Sequence, residues 1–303
     1  MRVVTHDGSF HADEVFAIAA LSLLGTVEEV VRSRDREALK GADVRVDVGF
    51  RDDPETGDFD HHQRDFSRVR ANGVRFASFG LVWDRFGTEI CGGEPEVAAT
   101  VDATLVQAVD ATDTGQRLAE PIVEDVHPLT VSGVIGGFNP GWDESLTPAQ
   151  ERARFDEALA LARGIVEREV ASAASARRAV RIVEEAVAAA GGDGSDPRLV
   201  ELPVNAPWKR ALVPIAPQAR FVILPKRQGY GLEAVPRDLG SFENREDLPA
   251  AWAGLEGDDL VAVTGVEDAV FCHVKRFLAV ARSHAGIKRL AALALADGAD
   301  ADA

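Results

Sequence analysis

The sequence predicts an α/β protein with two lobes, and three observations support this fold class. From residue 2 to about 113, short apolar runs alternate with helical stretches, a pattern typical of a mostly parallel sheet flanked by helices. Residues 148 to 190 are rich in Ala, Glu and Arg and have few helix breakers, which predicts one long helix. Residues 191 to 197, GGDGSDP, then break the chain before further apolar runs begin.

Residues 1–146 are predicted to form the first domain. The apolar runs predict strands at residues 2–5, 28–33 and 43–49. The helical stretches predict helices at residues 11–25, 76–87 and 96–110. Gly25 marks the end of the first helix, because glycine favours the left-handed conformation that closes helices.

The rest of the chain predicts a connector and a second, smaller lobe. A helix over residues 147–190 would span about 60 Å if unbroken, at about 1.5 Å per residue. That length favours a connector between two lobes, with two shorter packed helices as the alternative. Residues 198–297 predict a C-terminal α/β lobe, with strands at 199–204, 219–225, 231–236 and 268–274 and a helix at 283–296. Residues 298–303 have nothing to bury and predict a disordered tail.

The charge of the chain limits its partners. A formal net charge of -17 repels nucleic acid at long range, so a polyanionic substrate must be bound through local features. Residues 205–231 and 272–289 contain several Lys and Arg residues and no acid. These stretches are either an anion-binding site or a solvated face, and both readings stay open at this point.

The sequence favours a cytoplasmic protein without a membrane anchor. Residues 1–10 enter a strand with no charged leader or apolar signal core, so we expect no secretion. No apolar run approaches the roughly 20 residues of a membrane span. Cys91 and Cys272 match no metal-ligand spacing, which favours reduced thiols over a disulfide. Whether the chain forms homo-oligomers stays open.

A first cluster of imidazole and carboxylate groups follows the first strand. His6, His11 and Asp13 lie within residues 5–14, which end that strand and open the first helix. In open α/β sheets, ligands bind in the crevice beyond the carboxyl ends of the strands, so these side chains are well placed for chemistry. Asp13 and Glu14 also have a simpler explanation, because acids in the first turn of a helix complement its dipole.

Two further clusters come next along the chain. Asp47 ends a strand, where an acid is costly to desolvate unless a cation compensates its charge. The alternative is that Asp47 simply initiates a turn before Gly49, as Asp often does. Asp60, His61 and His62 place two imidazoles beside a carboxylate. Adjacent side chains on a strand point in opposite directions, so one histidine can bind a metal while the other faces the substrate or a second group.

The fourth cluster lies at a predicted helix C-terminus. The helix dipole disfavours the negative charges of Asp110 and Asp113 there, so a metal ion would offset that cost. Solvation before the turn at Thr114 and Gly115 is the alternative. Four such clusters in this order are typical of a pair of divalent hydrolytic metals.

These clusters resemble the four motifs of the DHH phosphoesterase superfamily, which is named after the Asp60-His61-His62 triplet. The chain is most similar to one branch, the melanocyte proliferating gene 1 (Myg-type) family of metal-dependent hydrolases. The shared segments extend from residue 5 to about residue 290. They read THDGSFHADE, DFDHHQR, VDATDTG, FNPGW, APWKRAL and SFENREDLPAAWAGL.

The resemblance implies a two-lobe phosphoesterase fold with two divalent metals in the N-terminal lobe, and a C-terminal lobe that closes over the substrate. Mn²⁺ is the expected metal, with Mg²⁺, Co²⁺ or Zn²⁺ as alternatives. Under this hypothesis Asp47 bridges the two metals, which activate a water molecule for in-line attack on phosphorus. The other expected ligands are His6, His11, Asp13, His61 and Asp110, with Asp113 as the alternative to Asp110.

The chain departs from the superfamily pattern at two places. The first motif usually has two aspartates spaced by one residue, whereas this chain has His11-Ala12-Asp13. Relatives tend to have a Gly-Gly substrate loop near the C-terminus, where this chain has Phe277-Leu278-Ala279-Val280. These departures bear on the substrate contacts more than on the metals.

The expected substrate contacts come from both halves of the chain. By analogy, His62 contacts the phosphoryl oxygens and acts as a catalytic residue together with Asp47, and Arg64 lies beside it. The second basic stretch would bind phosphates through His273, Lys275, Arg282, His284 and Lys288. Solvent exposure is the simpler expectation for His284 and also for His127. For the segments Trp208-Lys209 and Phe138-Asn139-Pro140 we favour a structural role over base stacking.

Three functions follow, and the first is favoured. It is a phosphodiesterase, most simply a 3'-5' exoribonuclease, which acts on short RNA or another oligonucleotide. The alternative is hydrolysis of a small phosphorylated metabolite or pyrophosphate, which suits the negative net charge of -17. The third is a non-catalytic metal-binding protein. Closed structural zinc sites usually have four thiolate or imidazole ligands, so the acid-rich pattern favours catalysis.

Overall fold

The protein has an α/β fold, which confirms the predicted class. The computed structural model describes residues 1–301 and contains two mixed sheets of five strands each. The chain divides into two compact units, which we call unit 1, Met1–Ser175, and unit 2, which begins at Ala176. The domain boundaries predicted at residues 146/147 and 190/198 stay predictions.

The sheet of unit 1 confirms the three predicted strands and adds two short ones. Its strands are β1 (Arg2–Thr5), β2 (Glu29–Arg32), β3 (Val44–Val46), β4 (Asp52–Asp53) and β5 (Asp58–Phe59). Their order is β2-β1-β3-β5-β4, and every pair is parallel except β4 with β5. Thr5 pairs with Val46, so the carboxyl ends of β1 and β3 lie side by side. The short strands were missed because their acidic segment contains no apolar run.

Six helices precede the long helix in unit 1. They are α1 (Ala12–Ser22), α2 (Arg36–Lys40), α3 (Ser78–Ile90), α4 (Pro95–Val101), α5 (Gln107–Asp113) and α6 (Val131–Gly136). All residues of α1 from Ala12 to Leu21 are buried, so this helix fills the core of unit 1. A π-helical turn, Asp102–Val106, joins α4 to α5. The predicted single helix that ended near Asp110 therefore continues to Asp113.

One helix of 42 residues, α7 (Pro148–Ala189), covers most of the predicted range 147–190, with its residues up to Ser175 in unit 1 and those from Ala176 in unit 2. Its first half contributes Phe155 and Val166 to the core of unit 1. Its second half contributes Val183 to a core cluster of unit 2. The alternative of two shorter helices is thereby wrong.

Unit 2 contains the second sheet, with strands β6 (Leu199–Glu201), β7 (Phe221–Lys226), β8 (Gly229–Ala234), β9 (Ala269–Cys272) and β10 (Leu278–Ala281). Their order is β6-β7-β8-β10-β9, and only β6 and β7 are parallel. Its helices are α8 (Lys209–Ile215), α9 (Gly257–Thr264) and α10 (His284–Ala301). Residues 277–280, expected to replace a substrate loop, thus belong mostly to a strand.

Helix α10 ends at Ala301, within the predicted disordered tail of residues 298–303, and the disorder of that tail stays a prediction. Gly298 packs closely on Glu246, where an added Cβ would come within 2.0 Å of Oε1. Residues 302 and 303 lie outside the described residues. Within residues 1–301, no helix is both long enough and apolar enough to cross a membrane.

Candidate metal centre

A cavity of about 1370 Å³ in unit 1 opens at the carboxyl ends of β1 and β3. The close pairing of these two strands brings together residues that lie far apart in the sequence. The predicted site residues that line the cavity are His6, His11, Asp13, Asp47, His61, His62 and Asp113. The predicted clusters therefore meet in one place.

Three sets of side chains in this cavity have ligand atoms within 4.8 Å of one another. The first set is His6, His11, Glu14 and Asp47, the second is Asp47, His61 and His62, and the third is Asp13, His61 and Asp113. Asp47 belongs to two sets, and so does His61. The sets are therefore contiguous, and we call their residues together the candidate metal centre.

His6, which follows β1, contacts the carboxylate of Glu14, a residue whose place in the first turn of α1 is also explained by the helix dipole. Its Nε2 lies 3.0 Å from Glu14 Oε1 and 3.4 Å from Asp47 Oδ2. Both Glu14 oxygens accept the backbone N–H of His11 at 3.0 Å, which holds the carboxylate in place at the start of α1. Burial alone would lower the pKa of His6, but hydrogen bonds with Asp47 and Glu14 raise it to about 10. The missed signal was the three-residue spacing of His11 and Glu14 across one helical turn.

Asp47 lies at the centre of the cluster and has a left-handed backbone conformation, with φ of 54°. Its carboxylate lies 3.5 Å from His61 Nε2 and 3.2 Å from His62 Nδ1, and it accepts the Ser78 hydroxyl at 3.2 Å. Burial would raise the pKa of this carboxyl, but hydrogen bonds from His6, His61 and His62 hold it below its usual range. Asp47 is therefore an ionised acceptor, as a bridging ligand must be.

His61 has a buried ring nitrogen without a hydrogen-bond partner. Its Nε2 lies 3.1 Å from Asp113 Oδ2 and 3.9 Å from Asp13 Oδ2, but within the described part of the chain it forms no hydrogen bond of good geometry. Burial would lower the pKa of His61, while contacts with Asp113 and Asp47 raise it to about 11. A buried nitrogen that faces several carboxylates calls for a cation or a proton between them.

Asp13 shows how strongly the cluster needs positive charge. This fully buried carboxylate accepts the backbone N–H groups of Ser78 at 2.9 Å and Phe79 at 2.7 Å, at the N-terminus of α3. Burial and repulsion from Asp113 and Asp47 nevertheless raise its pKa well above the usual value. Divalent cations would relieve this repulsion, and oxygen and imidazole donors without thiolate suit Mn²⁺ or Mg²⁺. The residues present therefore fit a metal centre.

Asp110 is held away from the candidate metal centre. It accepts the Gly80 backbone N–H at 2.9 Å, and Arg70 Nη1 lies 2.7 Å from its Oδ2. Burial raises the pKa of Asp110 to about 7 despite the nearby guanidinium. Among the described residues it belongs to none of the three ligand sets, whereas Asp113 does. The geometry thus favours Asp113 as the ligand and gives Asp110 a structural ion pair.

The first residue of the triplet positions the third. Asp60 is buried, and its carboxylate accepts the backbone N–H of His62 at 3.0 Å and lies 2.9 Å from His62 Nδ1. It also accepts the backbone N–H of Phe50 at 2.6 Å. Hydrogen bonds with Asp47 and Asp60 raise the pKa of His62 to about 10. The His62 side chain is half-exposed and lines the cavity, so it is available to a ligand.

A distant asparagine holds the loop between β1 and α1. Asn139 Oδ1 accepts the backbone N–H of Phe10 at 2.9 Å, and Asn139 Nδ2 donates to the Phe10 carbonyl at 2.7 Å. This pair of hydrogen bonds fixes the residue directly before His11. The structural role expected for Asn139 agrees with this contact. Trp208 is likewise buried, in a core cluster of unit 2.

The predicted substrate contacts outside the cavity are either paired with other protein groups or exposed to solvent. His284 Nε2 pairs with Glu201, and Lys288 Nζ lies 3.7 Å from the same carboxylate. His273 Nδ1 accepts the backbone N–H of Lys275 at 3.1 Å. Lys275 and Arg282 are exposed in unit 2, and Arg64 is exposed in unit 1 and is not among the described residues that line the cavity. His127 is exposed, as expected.

The basic stretches contain no acids in their own sequence, but the fold places carboxylates from other segments next to them. Lys226 pairs with Glu233, and Arg220 lies 3.6 Å from Glu246. The pairing of His284 with Glu201 joins residues 83 positions apart. The interpretation of these stretches as continuous anion-binding tracks is therefore weakened, because folding brings carboxylates to them.

Comparison with known proteins gives consistent matches over the chain. Residues 2–295 match the family MYG1_exonuc, described as Uncharacterised protein family (UPF0160). The chain is 31% identical to the MYG1 exonuclease of Mus musculus, over 97% of this chain and 85% of that protein. It is 31% identical to the MYG1 exonuclease of Homo sapiens, over 97% of this chain and 86% of that protein. It is 28% identical to the MYG1 protein of Dictyostelium discoideum, over 92% of this chain and 91% of that protein. No solved structure gives a significant match.

Proposed function

Because the chain belongs to the MYG1_exonuc family, we propose that it is a metal-dependent phosphoesterase that acts as an exonuclease. The single observation that supports this most is the set of three contiguous ligand groups in one cavity. Relatives from mouse and human carry the name MYG1 exonuclease. A buried acid-rich cluster beside a large cavity is what metal-assisted hydrolysis requires.

We assign two metals, Mn²⁺ first, to the candidate metal centre. His6, His11 and Glu14 would hold one cation, Asp13, His61 and Asp113 the other, and Asp47 would contact both. When bound, such a pair activates water as a nucleophile and offsets the charge that develops on the phosphoryl group. The N-terminus of α3 supports the anionic ligands, because Ser78 and Phe79 donate their N–H groups to Asp13.

His62 is the residue that we assign to the substrate phosphate. Its ring is oriented by Asp60 and Asp47 and is half-exposed to the cavity, so it can donate a hydrogen bond to a phosphoryl oxygen. We retain Arg64, His273, Lys275 and Arg282 as proposed phosphate contacts. For His284 and Lys288 the pairing with Glu201 makes that role less favourable.

The preferred substrate in this proposal is a short RNA or another oligonucleotide, cleaved from its 3' end. The net charge of -17 and the ion pairs formed by the basic stretches favour a short substrate over a long one. The same observation favours the second candidate, a small phosphorylated metabolite or pyrophosphate. A non-catalytic metal site is less well supported, because a large cavity leaves the centre open to ligands.

The test is metal-dependent cleavage by the purified protein. Mn²⁺-loaded protein is incubated with short RNA labelled at the 5' or the 3' end, with DNA of the same sequence and with pyrophosphate. We expect shortened products from the 5'-labelled RNA, and loss of activity in Asp47→Ala and His61→Ala. His127→Ala is the matched control, because His127 is exposed and lies outside the centre. Absence of cleavage for every substrate would refute the proposal, and cleavage of pyrophosphate alone would favour the second candidate.

We further propose a cytoplasmic location. Cys91 and Cys272 are both buried free thiols, which suits a reducing compartment. Microscopy of the tagged protein in its own cells checks this, and a signal confined to another compartment would contradict it.

A further inference from the structure

An exposed phenylalanine lines the same cavity as the candidate metal centre. The Phe50 side chain is 73% exposed, although an apolar ring of this size is usually buried. Among the large exposed apolar side chains within residues 1–301, Phe50 is the one that lines this cavity. The exposed Phe50 side chain is therefore available to a ligand of this cavity.

Phe50 has an unfavourable backbone conformation. Its φ is 55°, in the left-handed region that bulky residues rarely adopt. Asp47 and Gly49 also have positive φ values, 54° and 103°, so three of the four residues after β3 have a positive φ. Such strain persists only where the surroundings fix it, and it concentrates at ligand sites.

A buried carboxylate fixes Phe50 and ties it to the phosphate-contacting residue. Asp60 Oδ2 accepts the Phe50 backbone N–H at 2.6 Å, while Asp60 Oδ1 accepts the backbone N–H of His62 at 3.0 Å and lies 2.9 Å from His62 Nδ1. One buried group thus sets the position of both residues. Asp60 therefore fixes the backbone of Phe50 and both the backbone and the ring of His62 beside the same cavity.

We infer that Phe50 stacks on a nucleobase of the substrate and makes the site selective for base-bearing phosphodiesters. This inference rests on the proposed function. A nucleotide carries an aromatic face next to its phosphate, so a phosphate at the candidate metal centre would bring a base toward an aromatic ring at the cavity. Stacking on an aromatic side chain tolerates every base, which suits an enzyme that removes successive nucleotides. Pyrophosphate would gain nothing from Phe50.

The test compares two substitutions on two substrates. Phe50→Asn removes the ring while keeping a residue that tolerates the left-handed conformation, and Phe50→Trp keeps an aromatic face. The substrates are a short RNA and an abasic sugar-phosphate oligomer of the same length. We expect Phe50→Asn to raise KM for RNA by about tenfold with little change in kcat, and to leave the abasic oligomer unaffected. Phe50→Trp is expected to retain the KM of the wild type.

A binding measurement provides a readout that does not need catalysis. The fluorescence of Phe50→Trp is compared with that of the wild-type protein during titration with adenosine monophosphate and with ribose 5-phosphate. We expect additional quenching in the variant with the nucleotide alone. Equal quenching by both ligands, or no quenching beyond the wild type, would overturn the inference.

Failure of the inference can be distinguished from failure of the proposed function. If the wild-type protein cleaves RNA and the abasic oligomer with equal efficiency, the phosphoesterase assignment stands and the role of Phe50 is refuted. The role is also refuted if Phe50→Asn raises KM equally for both substrates. If the wild-type protein cleaves neither substrate, the proposed function itself is refuted.

Discussion

Replacing Arg70 with methionine should destabilise unit 1 far more than the same change at Arg68, two positions earlier. Arg70 bridges two carboxylates, with Nη1 2.7 Å from Asp110 Oδ2 and Nη2 2.7 Å from Asp102 Oδ1. The Arg70 side chain is 9% exposed and that of Asp110 is 0% exposed. Arg68 also bridges two aspartates, but its side chain is 36% exposed. The two arginines therefore differ mainly in burial.

The size of the difference follows from desolvation. Breaking a buried ion pair costs about 3–5 kcal/mol, because the remaining charge loses its partner. Fully exposed pairs contribute about 0.2–1 kcal/mol, and the partly exposed pairs of Arg68 lie closer to that range than those of Arg70. The guanidinium groups of Arg70 and Arg68 lie 4.0 and 4.7 Å from the centre of the Phe76 ring, so the loss of that contact is common to both variants. We therefore expect Arg70→Met to lose about 2–4 kcal/mol more free energy of unfolding than Arg68→Met.

The assay is hydrogen exchange of α3 amides at increasing urea, measured on protein kept free of metal with a chelator. This readout reports the unfolding free energy of unit 1 and is independent of metal affinity. The loss in Arg70→Met should be smaller at pH 5 than at pH 8, because Asp110, whose pKa is already raised to about 7 by burial, can take up a proton. Equal losses in the two variants, or a larger loss at pH 5, would refute this reasoning.

Three further predictions concern the candidate metal centre and its supports. The metal-free protein should lose stability as pH rises from about 6.5 to about 8.5. Contacts with Asp113 and Asp47 outweigh burial and raise the pKa of His61 to about 11. The folded state therefore keeps a proton that the unfolded chain releases over this pH range. Urea titrations at several pH values check this. We expect the free energy of unfolding to fall less steeply with pH in His61→Gln than in the wild type, and an equal slope in the two proteins would argue against it. Asn139→Ala should weaken Mn²⁺ binding about tenfold in calorimetry, because Asn139 holds the loop residue directly before the ligand His11. An unaltered Mn²⁺ affinity would contradict this prediction. Gly80→Ala should cost about 1–3 kcal/mol in urea denaturation, because the new Cβ would lie 2.0 Å from an Asp110 oxygen. Gly136→Ala, with no atom within 4 Å of the new Cβ, is the control, and equal effects of the two changes would exclude the steric explanation.

The sequence predicted the meeting of the first two clusters because they follow neighbouring parallel strands. Thr5 pairs with Val46, so the residues that come next, His6 and Asp47, lie side by side. The alternating pattern of a strand and the repeat of a helix depend only on nearby residues, so they located β1, β3 and α1 well. Glu14 was misjudged because its helix position explained it fully, and only the fold shows His6 returning to its carboxylate.

The choice between Asp110 and Asp113 depended on helix phase. The π-helical turn Asp102–Val106 changes the rotation of the helix that follows, so a simple 3.6-residue pattern does not predict which acid faces the cavity. The role of the basic stretches stayed open for a different reason. Their acidic partners, such as Glu201 for His284, lie far away in the sequence, and composition within a short window does not reveal them.

The most direct test of the central claim is a count of bound metal. Purified protein is loaded with Mn²⁺, freed of excess by gel filtration and analysed by elemental mass spectrometry, in parallel with Asp47→Ala and the control His127→Ala. We predict two Mn²⁺ ions per chain in the wild type and in His127→Ala, and a loss of bound Mn²⁺ in Asp47→Ala. No bound metal in the wild type, or an undiminished count in Asp47→Ala, would contradict the assignment of Asp47 as the ligand shared by both ions.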